Sequence, residues 1–388
     1  MFKREAEASV TKHSKTFPIV AVTGPRQAGK TTLVQSLFKR KPYVSLEDLD
    51  QRNFAQRDPR GFLGRYDEGV ILDEAQRCPD LFSYLQSFVD ARKKMGLVVL
   101  TGSQHFALLS GISQSLAGRV ALTELLPFSL QELQNAKQAP SNIEALLFQG
   151  LYPPLYDRHA DPETWYANYV STYIERDVRQ LLNVQDLRAF HLFLRMCAAR
   201  TGQILNLSSL ANDCGITHNT AKAWISVLEA SYIIFLLPPH HRNFSKRLIK
   251  SPKLYFYDSG LAAHLNGLQE ARQLTTHIMR GPLFETWVVS ELIKHRFNQG
   301  RRSNLYFWRD VQGHEIDVLI ERGDELIPVE IKSGKTISDD YFTSLRSWSS
   351  ISGQSLGAGF LIYAGDQSQK RSQGTVLGWE DVGKIVAS

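Results

Sequence analysis

Cysteine is scarce, with three in 388 residues. Cys78, Cys197 and Cys214 stand far apart and form no C-x-x-C pair, which argues against a disulfide framework and against a zinc site built on paired thiolates. A reducing compartment suits such a chain. Long hydrophobic runs are lacking too: none approaches the roughly 18 residues that a spanning helix requires, and residues 232–239, YIIFLLPP, are among the longest. No membrane partner is expected. The N-terminus, MFKREAEASVTKHSK, is charged with no apolar stretch behind it, unlike a secretory signal. The expected location is therefore the cytoplasm. Charge imbalance is small as well. A formal net charge of +6 mildly suggests a polyanionic partner and is equally ordinary for solubility. The length points to two or three domains of about 100 to 200 residues each.

What is present begins at residues 22–33, VTGPRQAGKTTL. The apolar run at 17–22 reads as a buried strand, and 31–38 reads as a helix. A glycine-rich turn between them leaves backbone N–H groups aimed at one spot, where the positive end of the helix already favours an anion. The spacing Gly24-x-x-x-x-Gly29-Lys30-Thr31 fills the phosphate-loop pattern. The nucleotide-binding set is thus Gly24, Pro25, Arg26, Gln27, Ala28, Gly29, Lys30, Thr31 and Thr32, with ATP and Mg²⁺ as the implied cofactors. Lys30 would neutralise the β- and γ-phosphates, and Thr31 would offer its hydroxyl to the metal.

A second strand signal, Gly69-Val70-Ile71-Leu72-Asp73-Glu74, ends in two acids at the sheet edge where open α/β sheets bind ligands. Asp73 is expected to hold the Mg²⁺ shell, and Glu74 to orient or deprotonate the attacking water. A third strand at 97–101 runs into Ser103 and Gln104, placed to sense the γ-phosphate. Arg119, ahead of another strand at 120–122, has two readings: a finger reaching a neighbouring subunit's ATP, or a solvated surface arginine. A homo-oligomer, including a ring, is left open. Together GPRQAGKTT, GVILDEAQ, VLTGSQ, SLAGRV and LTELLPFSLQEL resemble the prokaryotic AAA-type ATPases that carry a C-terminal domain of uncharacterised function. The resemblance runs over nearly the whole chain and implies an AAA-like nucleotide fold from about residue 17 to 132.

From residue 142 to about 182 the apolar spacing is helical. The stripe Trp165, Tyr169 and Tyr173 reads chiefly as packing, and Arg176 and Arg179 as intrahelical pairs. Residues 186–237 have the rhythm of a winged helix-turn-helix. Thr217 would cap a recognition helix that presents His218, Asn219, Thr220 and Lys222. Five cations follow at 240–253, namely Arg242, Lys246, Arg247, Lys250 and Lys253, with Phe244 among them and no acid. A basic loop at a wing tip suits DNA phosphates, so DNA is the expected partner, against the alternative of a solvated hairpin or a protein adaptor. The string KSPKLYFYDSGLAAHL is similar to the start of that family's C-terminal region.

Farther on, Glu285 lies on an amphipathic helix, Asp317 at the start of a strand, and Glu330 with Lys332 on PVEIK. Alternation puts Glu330 and Lys332 on one strand face. Carboxylates on a divalent metal, here Asp317 and Glu330, plus a lysine that positions water, are what phosphodiester hydrolysis needs. The order of elements resembles the restriction-endonuclease-like fold, with its PD-(D/E)xK pattern. The expected organisation is α/β throughout: a P-loop AAA-like domain at 1–135, a helical linker and winged helix at 136–255, and a nuclease-like domain at 256–388. The expected function is a DNA-associated ATPase, with a switch or protein-remodelling ATPase that binds without cutting as the alternative.

Overall fold

The computed structural model describes residues 2–103, 116–175, 186–240 and 250–387. Gln104, Arg176, Arg179, Arg242, Phe244, Lys246 and Arg247 lie outside the described residues. Two compact units result. The first comprises Met1–Phe128 with Ala230–Tyr232 and Arg296–Arg302, and the second holds the remainder, so it encloses the expected middle and C-terminal regions together.

In the first unit, β1 (Ile19–Thr23), β2 (Tyr43–Ser45), β3 (Val70–Asp73), β4 (Val98–Gly102) and β5 (Val120–Glu124) form a parallel sheet in the order β2-β3-β4-β1-β5. The apolar runs of β1, β3 and β4 are buried on both faces, as parallel strands covered by helices must be. Alternation divides β1 between two cores. Ile19 and Ala21 pack with Leu72, Val98 and Leu100 on one side, and Val20 and Val22 pack with Val10, Leu33 and Val34 on the other. Each such side chain contributes about 1.5 to 3 kcal/mol on full burial. Val10 belongs to a helix, Glu7–Thr16, that the charged N-terminal sequence did not announce.

The second unit carries a helix (Leu187–Ala199), a short strand β6 (Gln203–Ile204), two helices (Leu207–Asp213 and His218–Ala230) and two strands, β7 (Ile234–Leu237) and β8 (Lys253–Phe256). The strands pair antiparallel in the order β6-β8-β7. Trp165, Tyr169 and Tyr173 do pack as a stripe, with ring centroids 4.9 and 5.4 Å apart along it.

A larger sheet follows the long helix Arg280–Asn298: β9 (Leu305–Arg309), β10 (Glu315–Arg322), β11 (Glu325–Lys332), β12 (Phe360–Tyr363), β13 (Gln369–Arg371) and β14 (Gly374–Gly378), ordered β13-β14-β12-β11-β10-β9. Its β9-β10-β11 part is antiparallel, whereas β12 runs parallel to β11 and β14. The pairing of β10 with β9 shifts register between Ile316 and Leu319. Such a bulge re-aims the side chains it contains, and Asp317 is one of them. Glu330 was expected on the strand face away from Val329 and Ile331, and the helix Thr343–Ser352 covers that face too: Ser344 Oγ donates to Glu330 Oε1 at 3.0 Å.

Candidate functional site

The turn after β1 is shaped by positions that tolerate no ordinary side chain or backbone. Gly24 has φ 147°, and a Cβ added there would run into the Leu125 carbonyl oxygen. Gly29, at φ 88°, begins the helix Lys30–Leu37, and no side chain caps that helix. Its first-turn N–H groups are therefore available to an anion. Lys30 is 6% exposed and its Nζ donates to the carbonyls of Gly24 at 3.0 Å and Pro25 at 2.7 Å. The ammonium is thus folded into the loop where phosphate oxygens would replace those carbonyls. Pro25 and Ala28 are buried, Arg26 and Gln27 partly so, and Thr32 is exposed on the first helical turn.

Arg4 was not singled out in the sequence. Its guanidinium donates to Ala28 O and Leu126 O, both at 2.7 Å, and lies over the Phe128 ring. A buried arginine from the N-terminal segment therefore braces the phosphate loop against the chain that leaves β5. No local pattern marks such a residue.

Asp73 ends β3 and is 8% exposed. Thr31 Oγ1 lies 3.2 and 3.1 Å from its two carboxylate oxygens, Tyr43 OH donates to Oδ2 at 2.6 Å, and Thr101 donates to Oδ1. Burial, then Asp73 itself, raises the pKa of Tyr43, so the phenol stays a donor. Glu74 adopts the left-handed conformation at φ 52°, a strain that functional sites tend to store. Its Oε2 accepts from Ser103 Oγ at 3.0 Å and from Gln76 Nε2. Ser103, expected beside the γ-phosphate, here holds Glu74 in place. The uncapped helix, the sequestered lysine and the Thr31–Asp73 pair fit a nucleotide triphosphate with a divalent ion: Thr31 and Asp73 supply hard oxygen donors of the kind that magnesium takes.

The second unit gathers a separate cluster. Glu285, from the helix Arg280–Asn298, accepts from Tyr255 OH and pairs with Lys253 Nζ at 3.2 Å. Lys253 also pairs with Glu315 at 2.5 Å, and Arg309 with Glu315 at 3.1 Å. Asp317 Oδ2 accepts from the Ile331 N–H at 2.8 Å, and Lys332 Nζ pairs with Glu330 Oε1 at 2.6 Å. Burial, then the charges of Glu330 and Glu285, holds the Asp317 carboxyl well above the usual range. Burial likewise raises Glu330, against the pull of Lys332. For Lys253, burial opposes charge, yet Tyr255, Glu285, Asp317 and Glu315 outweigh it and keep the ammonium protonated. Glu330 Oε2 is buried with no hydrogen-bond partner among the described residues. That orphaned oxygen is what a cation would satisfy. The four residues expected to converge do share one electrostatic neighbourhood; Lys253, Tyr255 and Glu315 were missed as its members.

The family described as "AAA domain" matches residues 16–134, the stretch that contains the phosphate loop, Asp73, Glu74 and Ser103. Uncharacterized proteins of Mycobacterium tuberculosis and Mycobacterium bovis are each 30% identical over 350 residues, spanning 89% of this chain and 76% of theirs. The chain belongs to the AAA-type P-loop ATPases. Two further families match it, each described as a domain of unknown function: DUF8612 over residues 140–272 and DUF4143 over residues 280–382. Among solved structures, the ATPase is similar to a Walker-type ATPase of Pyrococcus abyssi, with 15% identity, TM-score 0.46, and coverage of 68% of this chain and 96% of that one. It is also similar to AMPPCP-bound DnaA from Aquifex aeolicus, with 14% identity, TM-score 0.31, and coverage of 58% and 85%.

Other expected residues of the ATPase fall elsewhere. Arg119 sits at the start of β5, its carbonyl accepting from Ile19 N at the start of β1, so it lies at the opposite end of the sheet from its own phosphate loop. Its guanidinium grips Asp90 through two bonds of 2.7 and 2.8 Å. Any role as a finger would be toward another subunit. Lys250 is exposed. Lys253, counted in the sequence with the basic loop, is only 3% exposed and belongs instead to the acidic cluster, because β8 has begun by that residue. None of the described helices is long and apolar enough to cross a membrane.

Proposed function

We propose that this ATPase is DNA-associated, uses ATP with Mg²⁺, and carries a metal-dependent, nuclease-like site in its C-terminal region. Lys30 and the N–H groups of its helix bind the β- and γ-phosphates, Thr31 and Asp73 hold the metal, and Glu74, oriented by Ser103 and Gln76, takes the proton of the attacking water. Bound Mg²⁺ neutralises charge that builds on the phosphoryl oxygens.

The observation that supports DNA association is the order helix, strand, helix, helix, strand, strand between Leu187 and Phe256, the arrangement of a winged helix. Thr217 Oγ1 accepts from the Thr220 N–H at 3.1 Å, and His218, Asn219 and Lys222 at that helix start are exposed. These side chains are available to a major groove, with Lys250 and the preceding basic stretch available to backbone phosphate. Changing Arg242, Lys246 and Arg247 together to Gln should weaken duplex binding by about tenfold or more and flatten its salt dependence, since each phosphate contact adds about one to the log–log slope. Fluorescence anisotropy across a salt series reads both. An unchanged slope would favour a protein adaptor.

Asp317 and Glu330 are the residues that would hold the C-terminal metal, with Lys332 beside them to position water. Asp317→Ala is expected to abolish Mg²⁺- or Mn²⁺-dependent DNA cleavage while ATP turnover continues; equal cleavage by both proteins would remove the nuclease reading. A second reading, binding without cutting, is favoured by one observation: among the described residues no three His, Cys, Asp or Glu side chains are grouped to hold a metal ion.

A further inference from the structure

We propose that Lys253 is the resident cation of the C-terminal acidic cluster, and that its ammonium limits this site to a single divalent ion, held by Asp317 and Glu330. The inference rests on the metal-binding reading above and adds the number of ions and the residue that sets it.

Four carboxylates meet there: Glu285, Glu315, Asp317 and Glu330. A pair of divalent ions would use both halves of that set. One half is already occupied. Lys253 reaches in from β8, a strand of the small sheet, and its Nζ lies 3.2 Å from Glu285 and 2.5 Å from Glu315. Tyr255, two residues along the same strand, donates to the same Glu285 oxygen. The Phe307 ring lies 5.6 Å from Nζ on another side. A lysine so enclosed cannot swing out to make way for a metal without leaving its own charge unpaired in a buried place.

Charge counting leads to the same number. The cations Lys253, Arg309 and Lys332 face the four carboxylates, which leaves a formal excess of one negative charge. One divalent ion turns that into an excess of one positive charge; two would leave three, in a site whose members are mostly buried. The only carboxylate oxygen of the cluster that is both buried and without a partner among the described residues is Glu330 Oε2, on the side away from the Lys253 pairs. The vacancy for charge and the vacancy for a ligand atom coincide at Glu330.

The test counts Mn²⁺ ions by the loss of the free-ion EPR signal, using the nucleotide-free full chain with Asp73→Asn so that the phosphate-loop site does not contribute. The expected result is one ion per chain, lost on Asp317→Asn, and two ions per chain in Lys253→Met. Two ions with Lys253 intact, or still one in a folded Lys253→Met chain, would overturn the role of Lys253 while leaving the metal site standing. No ion sensitive to Asp317→Asn would overturn both. Thermal melting checks folding; should Lys253→Met fail it, Lys253→Gln, which can still hydrogen-bond to Glu285, takes its place with the same expected count.

Discussion

Lys30→Ala is expected to lower the ATP turnover number by about 10²- to 10³-fold, or roughly 3 to 4 kcal/mol of barrier. The reason is geometric. Nζ is held inside the phosphate loop by the Gly24 and Pro25 carbonyls, so it is already where transferring phosphoryl oxygens gain charge, and little reorganisation is needed when they arrive. The carbonyl contacts are exchanged for phosphate contacts that are charge-assisted and about twice as strong. Alanine removes this and leaves the glycine turn and helix end intact. Some affinity for nucleotide should persist through the backbone N–H groups. Phosphate release under saturating ATP, with binding followed separately, checks both parts. Undiminished turnover would remove the nucleotide site assigned here.

Glu74→Gln should separate binding from chemistry: ATP affinity within a few-fold of the parent, and turnover lower by about 10²- to 10⁴-fold, the range for a general base. The substitution keeps shape and hydrogen-bonding capacity. Ser103 Oγ can still donate to the side-chain oxygen, and Gln76 Oε1, buried with no hydrogen-bond partner among the described residues, can accept from the new amide. The strained backbone at residue 74 is unchanged. What is lost is the capacity to take a proton. Single-turnover hydrolysis with fluorescent-nucleotide binding reads the two effects apart, and a variant that hydrolyses at the parent rate would move the base to another residue.

These outcomes draw on features of unequal visibility. The phosphate loop was readable in the residues because its function is local: two glycines, a lysine and a threonine at fixed spacing produce the turn, the uncapped helix and the anion site with little help from elsewhere. The Asp73-Glu74 strand end was readable for the same reason, an apolar run closing on two acids. Arg4 was not. It meets Ala28 and Leu126, and no short-range pattern links three such distant positions. Ser103 was placed correctly at a strand tip, but its bond to Glu74 depends on the left-handed turn at residue 74.

The same division holds in the second unit. Alternation showed that Glu330 and Lys332 share a strand face, yet it carried no information about the helix that covers that face. Lys253 was grouped with its basic neighbours because composition weighs residues by proximity along the chain; pairing of β8 with β6 and β7 withdraws it into the protein.

By itself, then, the amino-acid order determined the elements, the phosphate-binding turn and the chemical types available, since propensity, periodicity and motif spacing act over a few residues. Tertiary structure alone decided which distant groups meet: Arg4 under the phosphate loop, Arg119 at the far end of its sheet, and Lys253 among the acids. Those meetings follow from strand order, a register shift at Asp317 and the burial of charge, which depend on the packing of the whole unit and have no counterpart in local sequence.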